Sequence, residues 1–156
     1  MPFTFTDDMT VRMDACVLCW LATADADGTP NVSPKEMFVH YGKDRIIIAQ
    51  IASPVTVKNV LANPRVCVSM VDVFVQKGWK FTGTARFVER DDTAFAEGIR
   101  TLEKRFGNGF STFIRSLFEV TVTAAEPILA PSYRLVPGTT EEGQIAQALE
   151  RYGVRR

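Results

Sequence analysis

Cys16-Val17-Leu18-Cys19-Trp20-Leu21-Ala22-Thr23, the turn Asp25-Ala26-Asp27-Gly28, a second extended run from Pro30 to His40, the turn Tyr41-Gly42-Lys43-Asp44 and a third run from Arg45 to Ile51 stand in direct succession. Asp-Gly between two apolar runs is a strong hairpin signal, so the succession reads as a meander. The third run, Ile46-Ile47-Ile48-Ala49, passes through Gln50-Ile51-Ala52 into Ser53-Pro54-Val55-Thr56-Val57-Lys58. Ser53 is a favoured N-cap and Pro54 suits the first helical position; the helix is predicted to end at about Ala62, where Asn63-Pro64 stops it.

That helix start carries no carboxylate. Helix N-termini have unpaired N–H groups and partial positive charge, and normally attract Asp or Glu. Here Ser53, Thr56 and Lys58 stand in their place. Two readings remain open: a seat for a phosphorylated ligand, or an ordinary surface helix with a Ser-Pro cap.

Outward from this region, Asp8 to Asp14 reads as a short helix. Arg65 to Phe74 and Gly78 to Glu89 read as strands. Asp91 or Asp92 is expected to cap a helix whose apolar stripe is Phe95, Ile99, Leu102 and Phe106, with Gly107 as its stop. Phe118 to Thr123 alternates strictly and is expected to continue towards Ile128 after a break at Pro127. Thr139 and Glu142 are spaced as a capping box for a last helix, about residues 140–153, with Ile145, Leu149 and Tyr152 as its stripe. The sum is mainly β with peripheral helices. Six strands in hairpin order, without regular strand–helix alternation, suit a six-stranded antiparallel barrel in one domain spanning residues 1–156.

Composition excludes several classes. The chain of 156 residues is 46% hydrophobic and balances 18 basic against 18 acidic residues, which gives no electrostatic reason to expect nucleic acid or a membrane surface. The basic end from Arg151 to Arg156 reads as a solvated helix terminus. No run approaches a membrane span and the N-terminus lacks a signal-peptide pattern, so a cytoplasmic protein is the expectation. Cys16 and Cys19 form a lone Cys-x-x-Cys. A zinc site would need more ligands than Cys67 and His40 supply, and an apolar strand is the wrong place for a redox pair, so buried free thiols are expected and no metal site. His40, in a turn, has no serine or carboxylate pattern around it for a hydrolytic triad. Asp72 either ends its strand or pairs with a cation.

Leu21 to Pro30, Val32-Ser33-Pro34, the Ile46 to Ile51 strand, Ser53 with Thr56, Lys58 and Asn59, Asn63-Pro64-Arg65-Val66 and Gly83-Thr84-Ala85 together resemble the flavin-binding split barrels related to pyridoxamine 5'-phosphate oxidase. The resemblance covers about Ala15 to Glu89. It implies a split barrel, a homodimer and flavin mononucleotide (FMN) held between the subunits, with a deazaflavin or haem as alternatives. It also implies an oxidoreductase acting between a nicotinamide nucleotide and a small organic acceptor, or a non-enzymatic flavin or haem carrier or sensor on the same barrel. The cofactor residues it implies are Ser33 and Lys35 on the second strand, and Ala49, Gln50 and Ile51 at the end of the third. Ser53, Thr56, Val57 and Lys58 follow at the helix mouth, with Gln76, Lys77 and Trp79 reaching across the dimer. The sequence departs from relatives at Pro54-Val55, where paired basic residues often follow the serine. No catalytic acid or base is implied, because a bound flavin takes the hydride or electrons itself. Arg134-Leu135-Val136-Pro137 resembles the oxidase's substrate-gripping segment only faintly, which speaks against pyridoxamine phosphate as substrate.

Overall fold

The computed structural model describes residues 2–154; Met1, Arg155 and Arg156, the last two from the basic end noted above, lie outside the described residues. Helix α1 (Asp7–Ala15) is followed by strands β1 (Cys19–Ala24), β2 (Pro30–Lys35), β3 (Phe38–Tyr41) and β4 (Arg45–Gln50). Helix α2 (Pro54–Ala62) leads into β5 (Arg65–Asp72) and β6 (Lys77–Glu89). Helix α3 (Phe95–Phe106) and a short 3₁₀ turn precede β7 (Ser116–Leu129), and α4 (Ser132–Leu135) and α5 (Glu141–Tyr152) close the chain.

All strand pairs are antiparallel, in one sheet of order β2-β1-β5-β6-β7-β4-β3. Seven strands stand where six were expected, because the run from Pro30 to His40 breaks at Glu36-Met37. Its first half pairs with β1 and its second with β4, at opposite ends of the sheet. The sheet is not closed by hydrogen bonds, yet its two outermost strands are separated by only two residues of chain. Two residues span less than about 10 Å, so the sheet must curl until its edges meet. This is the split of the split barrel.

Alternation along β4 shows how the curl sorts residues. Ile46 and Ile48 face the barrel core with Phe38, Phe81 and Phe118, while Ile47 and Ala49 face outward under α3, against Phe95, Leu102 and Leu117. Met9 and Met13 of α1 join the inner core. Arg105 ties these layers together. Its guanidinium donates to the carbonyls of Met13 (3.2 Å), Asp14 (3.0 Å), Cys16 (3.2 Å) and Phe38 (3.2 Å), and so closes the C-terminal end of α1 from a different helix. Arg105→Ala leaves these carbonyls without a donor and is expected to lower stability by about 2 kcal/mol. Arg105→Lys, lacking the planar fork, is expected to recover less than half of that; urea unfolding midpoints measure both.

Several local expectations are corrected. The first strand starts at Cys19, since Cys16 is the C-cap of α1 and Val17 and Leu18 are exposed. Asp92 does not occupy the N-cap of α3; Ala94 does, and Asp92 accepts from the Ala94 N–H in the turn before it. β7 runs through Pro127 without a break: Pro127 sits opposite Trp79, and the irregularity falls instead between Thr82 and Gly83 of β6. The cap of α5 is Thr140, which accepts from Gly143, while Thr139 donates to the carbonyls of Ser132 and Val136. The face that α5 buries holds Gln144 and Ala148, and Tyr152 is largely exposed. Asp72 ends β5 and accepts from the Phe74 N–H. His40 lies within β3, half-buried, not in a turn.

Candidate functional site

β2 places Asn31, Ser33 and Lys35 on one face, each two residues from the next, and that face meets the start of α2. Ser33 Oγ and Thr56 Oγ1 are 3.0 Å apart. Asn31 Nδ2 donates to Thr56 Oγ1 and to Thr23 Oγ1, each at 3.3 Å, and Asn59 Nδ2 donates to the same Thr23 oxygen at 3.1 Å. Lys35 Nζ donates to Ser53 Oγ and, at 3.5 Å, to Gln50 Oε1. Six polar side chains are buried among the described residues, and Thr23, Lys35, Gln50, Thr56 and Asn59 are five of them. A barrel therefore concentrates nearly all of its buried polarity at one helix mouth.

The electrostatics are unbalanced. Lys35 is 6% exposed, its partners Ser53 and Gln50 are neutral, and no ion pair to it occurs among the described residues. Its ammonium stands 5.5 Å over the Phe118 ring, a weak compensation for lost water. Burial accordingly pulls its pKa below the usual lysine range. Ser53 occupies the N-cap of α2 but makes no capping bond, because its hydroxyl accepts from Lys35 instead. With no acidic residue in the first turn, the helix-start N–H groups keep no side-chain acceptor. Free N–H groups, hydroxyls and a buried ammonium face one locus, which is the donor set that an anion takes.

Of the residues named from the resemblance, the structure brings Ser33, Lys35, Gln50, Ser53 and Thr56 together. The cation at the mouth is Lys35, however, not Lys58, which is exposed on the outer side of α2. Val57 packs against the inner core, Ala49 lies in the outer core beneath α3, and Ile51 is 60% exposed. Gln76, Lys77 and Trp79 join other elements of the same chain: Lys77 pairs with Glu141 and Trp79 Nε1 donates to Asp8 at 3.0 Å. Sequence reasoning missed Thr23 and Asn31 and left Asn59 without a role. The signal was present in alternation. Thr23 falls on the inward face of β1 with Cys19 and Leu21, and Asn31 shares the face of Ser33 and Lys35.

Cys16 and Cys19 are buried free thiols. Burial pushes Cys19 up to about 12 and Cys16 to about 11, with nearby Asp72 adding to the latter. At neutral pH both are expected to stay silent towards a thiol-reactive chromogenic disulfide until the protein is unfolded, and stoichiometry before and after urea measures this. Among the described residues no group of three or more His, Cys, Asp and Glu side chains could hold a metal ion, and no helix is long and apolar enough to cross a membrane.

A curled antiparallel sheet with polar residues gathered at the mouth of α2, the helix between β4 and β5, defines a class, the split barrels. The chain belongs to the pyridoxamine 5'-phosphate oxidase family, whose model it matches over residues 5–135. It is 32% identical over 94 residues to the heme oxygenase HutZ of Vibrio cholerae, an alignment covering 56% of this chain and 52% of that protein. The chain thus spans about half the length of that relative. Among solved structures it is similar to HupZ of Group A Streptococcus, with a TM-score of 0.65, 21% identity and coverage of 78% of this chain and 91% of that one. An FMN-binding protein of Syntrophomonas wolfei gives a TM-score of 0.64 at 13% identity, covering 78% and 84%. These two likenesses are of fold.

Proposed function

We propose that this protein binds flavin mononucleotide by its phosphate at the mouth of α2, and acts as a flavin-dependent oxidoreductase between a nicotinamide nucleotide and a small organic acceptor. The observation that carries the reading is Lys35: a buried ammonium with neutral partners only, beside a helix start whose N–H groups lack an acceptor. A terminal phosphate supplies the missing charge. Lys35, Ser33, Ser53, Thr56 and the first N–H groups of α2 would hold it, and Gln50, at the strand end beside them, offers an amide to a polar ring edge. The bound flavin would accept a hydride or single electrons, while the chain contributes position, polarity and exclusion of water. In a homodimer, Gln76, Lys77 and Trp79 of the second subunit are the residues assigned to the ring. The family membership and the FMN-binding protein of like fold support the choice of cofactor.

The test is titration of the purified protein with FMN, read by quenching of flavin fluorescence, followed by anaerobic addition of NADPH or NADH. Saturable quenching with bleaching of the 450 nm band on the order of minutes supports an oxidoreductase. Saturable quenching without bleaching by either nucleotide leaves a flavin carrier and removes the enzyme. No quenching removes the flavin reading.

A second reading, a haem carrier or sensor, is favoured by the similarity to HutZ. His40 is the only histidine in the chain, and its Nε2 lies 3.6 Å from Asp14. A Soret band on haem addition that persists when His40 is replaced by alanine would separate haem held by the barrel from haem ligated by that side chain. Preference for a deazaflavin over FMN in the same titration would reassign the cofactor without moving the phosphate seat.

A further inference from the structure

Helix α5 lies wholly beyond residue 135, where the family match ends. Its attachment is weakly apolar, with a ring contact, Tyr152 on Phe74 at 6.4 Å, and a hydrogen bond, Gln144 Nε2 donating to Ser132 Oγ at 2.7 Å. The side chains it buries are Gln144 and Ala148, with Ile145 and Leu149 only half-buried. Its first residue is held by charge instead: Glu141 Oε1 lies 2.5 Å from Arg12 Nη2 and 2.9 Å from Lys77 Nζ. The Lys77 ammonium also stands 4.4 Å over the Tyr133 ring. Hydrogen bonding to Lys77 and the neighbouring Arg12 guanidinium hold the Glu141 carboxyl below its usual range.

The two cations belong to α1 and β6, parts of the barrel that remain when α5 is moved. Lys77 follows directly on Gln76, whose left-handed backbone (φ 55°) sits at the strand entry, and Gln76 O accepts from Ala130 N at 3.1 Å. Tyr133 is fixed as well, its hydroxyl donating to Val75 O at 2.7 Å. The seat is therefore built by anchored elements, whereas its occupant comes from a helix joined through Pro137-Gly138. Gly138, at φ 81°, lies in a turn closed by Thr139, whose N–H donates to the Val136 carbonyl at 3.3 Å and whose hydroxyl donates to the Ser132 and Val136 carbonyls, so any movement of α5 is taken up after Thr139. With Glu141 removed, Lys77 keeps no carboxylate partner among the described residues, and Arg12 keeps only the exposed Asp8 at 3.9 Å.

We propose that Arg12 and Lys77 form a second anion seat, that Glu141 is its resident and displaceable occupant, and that α5 is a strap which lifts when a small molecule bearing a phosphate or carboxylate takes its place. The seat is separate from the phosphate locus at α2, but it shares Lys77 with the ring contacts assigned above to a second subunit. The cations stand 18% and 30% exposed, open enough for a ligand to enter and enclosed enough for the exchange to matter.

The experiment uses the full chain in residue-resolved NMR, with sodium phosphate and sodium acetate each compared with chloride at matched ionic strength. Phosphate is expected to shift the Arg12, Gln76 and Lys77 amides saturably and to speed amide hydrogen exchange over residues 141–152 at least tenfold, with the barrel unchanged. Acetate producing the same response assigns carboxylates; phosphate alone assigns phosphate esters. Glu141→Gln is expected to tighten phosphate binding at these amides about tenfold, because the internal competitor is gone. Arg12→Met is expected to abolish it while leaving phosphate-induced shifts at Ser53 and Thr56, which report the other site. Equal affinity in wild type and Glu141→Gln, or exchange rising evenly through the barrel, overturns the proposal. Should Glu141→Gln fail to fold, the wild-type exchange response to phosphate against chloride decides alone.

Discussion

Replacing Lys35 with methionine is expected to weaken FMN binding by roughly a hundredfold and, in the same protein, to raise the stability of the ligand-free state by about 1 kcal/mol. Both effects have one cause. The ammonium is buried among neutral partners, so it is a cost to the empty fold and the main attraction for an incoming phosphate. Methionine keeps the length of the side chain and its contact with the Phe118 ring while removing the charge. Flavin titration and urea unfolding on the same preparation measure the two halves. A variant that loses both binding and stability would mean that Lys35 is a structural contact and nothing more.

The pH dependence follows from the same depression. In the folded, empty protein Lys35 has a pKa below its unfolded value, so the native state sheds its proton first as pH rises. Over that alkaline window the unfolded state binds more protons and stability increases with pH. Below it, both states are charged and the full burial cost stands. The difference in unfolding free energy between Lys35→Met and wild type is therefore expected to shrink from neutral pH towards pH 10, and FMN affinity to fall over the same range as the ammonium is lost.

Gly83→Ala is expected to cost on the order of 4 kcal/mol, a large share of the roughly 5–15 kcal/mol that holds an ordinary domain folded. Gly83 sits at the irregularity in the pairing of β6 with β7, the two longest strands of the sheet. A Cβ there would stand 2.0 Å from the carbonyl oxygen of Thr121 and 3.0 Å from the Cα of Val122. The obstacle is backbone in the middle of the sheet, which cannot turn aside as a side-chain tip would. Thr84→Ala, exposed on the adjacent residue, is the control and is expected to change stability by less than about 0.5 kcal/mol. An unfolding midpoint for Gly83→Ala close to that of the control would refute the close-approach argument.

The fold was legible because hairpins are local. Asp25 to Gly28 and Tyr41 to Asp44 announce their turns, and β1, β4, β5 and β6 lie within two or three residues of where alternation puts them. The split of the second strand was not legible, since nothing in Lys35-Glu36-Met37-Phe38 shows that its two halves choose partners at opposite ends of a sheet. That choice is made by closure, a property of the whole chain. At the site, an acid-free helix start and the shared face of Ser33 and Lys35 were readable from spacing. The identity of the local cation was not: Lys58 is nearer in sequence to the helix start, but 3.6 residues per turn carry it outward, and the strand supplies Lys35 from eighteen residues upstream of Ser53. Thr23, Asn31 and Asn59 escaped because each is unremarkable alone and becomes informative only once three elements are seen to meet.

The hairpin between β1 and β2 has a duty larger than its size. Asp25 Oδ1 accepts from Asp27 N and Thr29 N, both at 2.9 Å, and Gly28 adopts φ 88°, so the loop length is pinned. A slip of a single residue there would rotate Asn31, Ser33 and Lys35 to the solvent and turn Val32 and Pro34 towards the helix mouth. Because β3 begins three residues after Lys35, the same error would be handed on to the opposite border of the sheet. One aspartate in a solvent-facing bend thus acts as the indexing pin for both the barrel's seam and its ligand seat, and evolution can retune the second only by respecting the first.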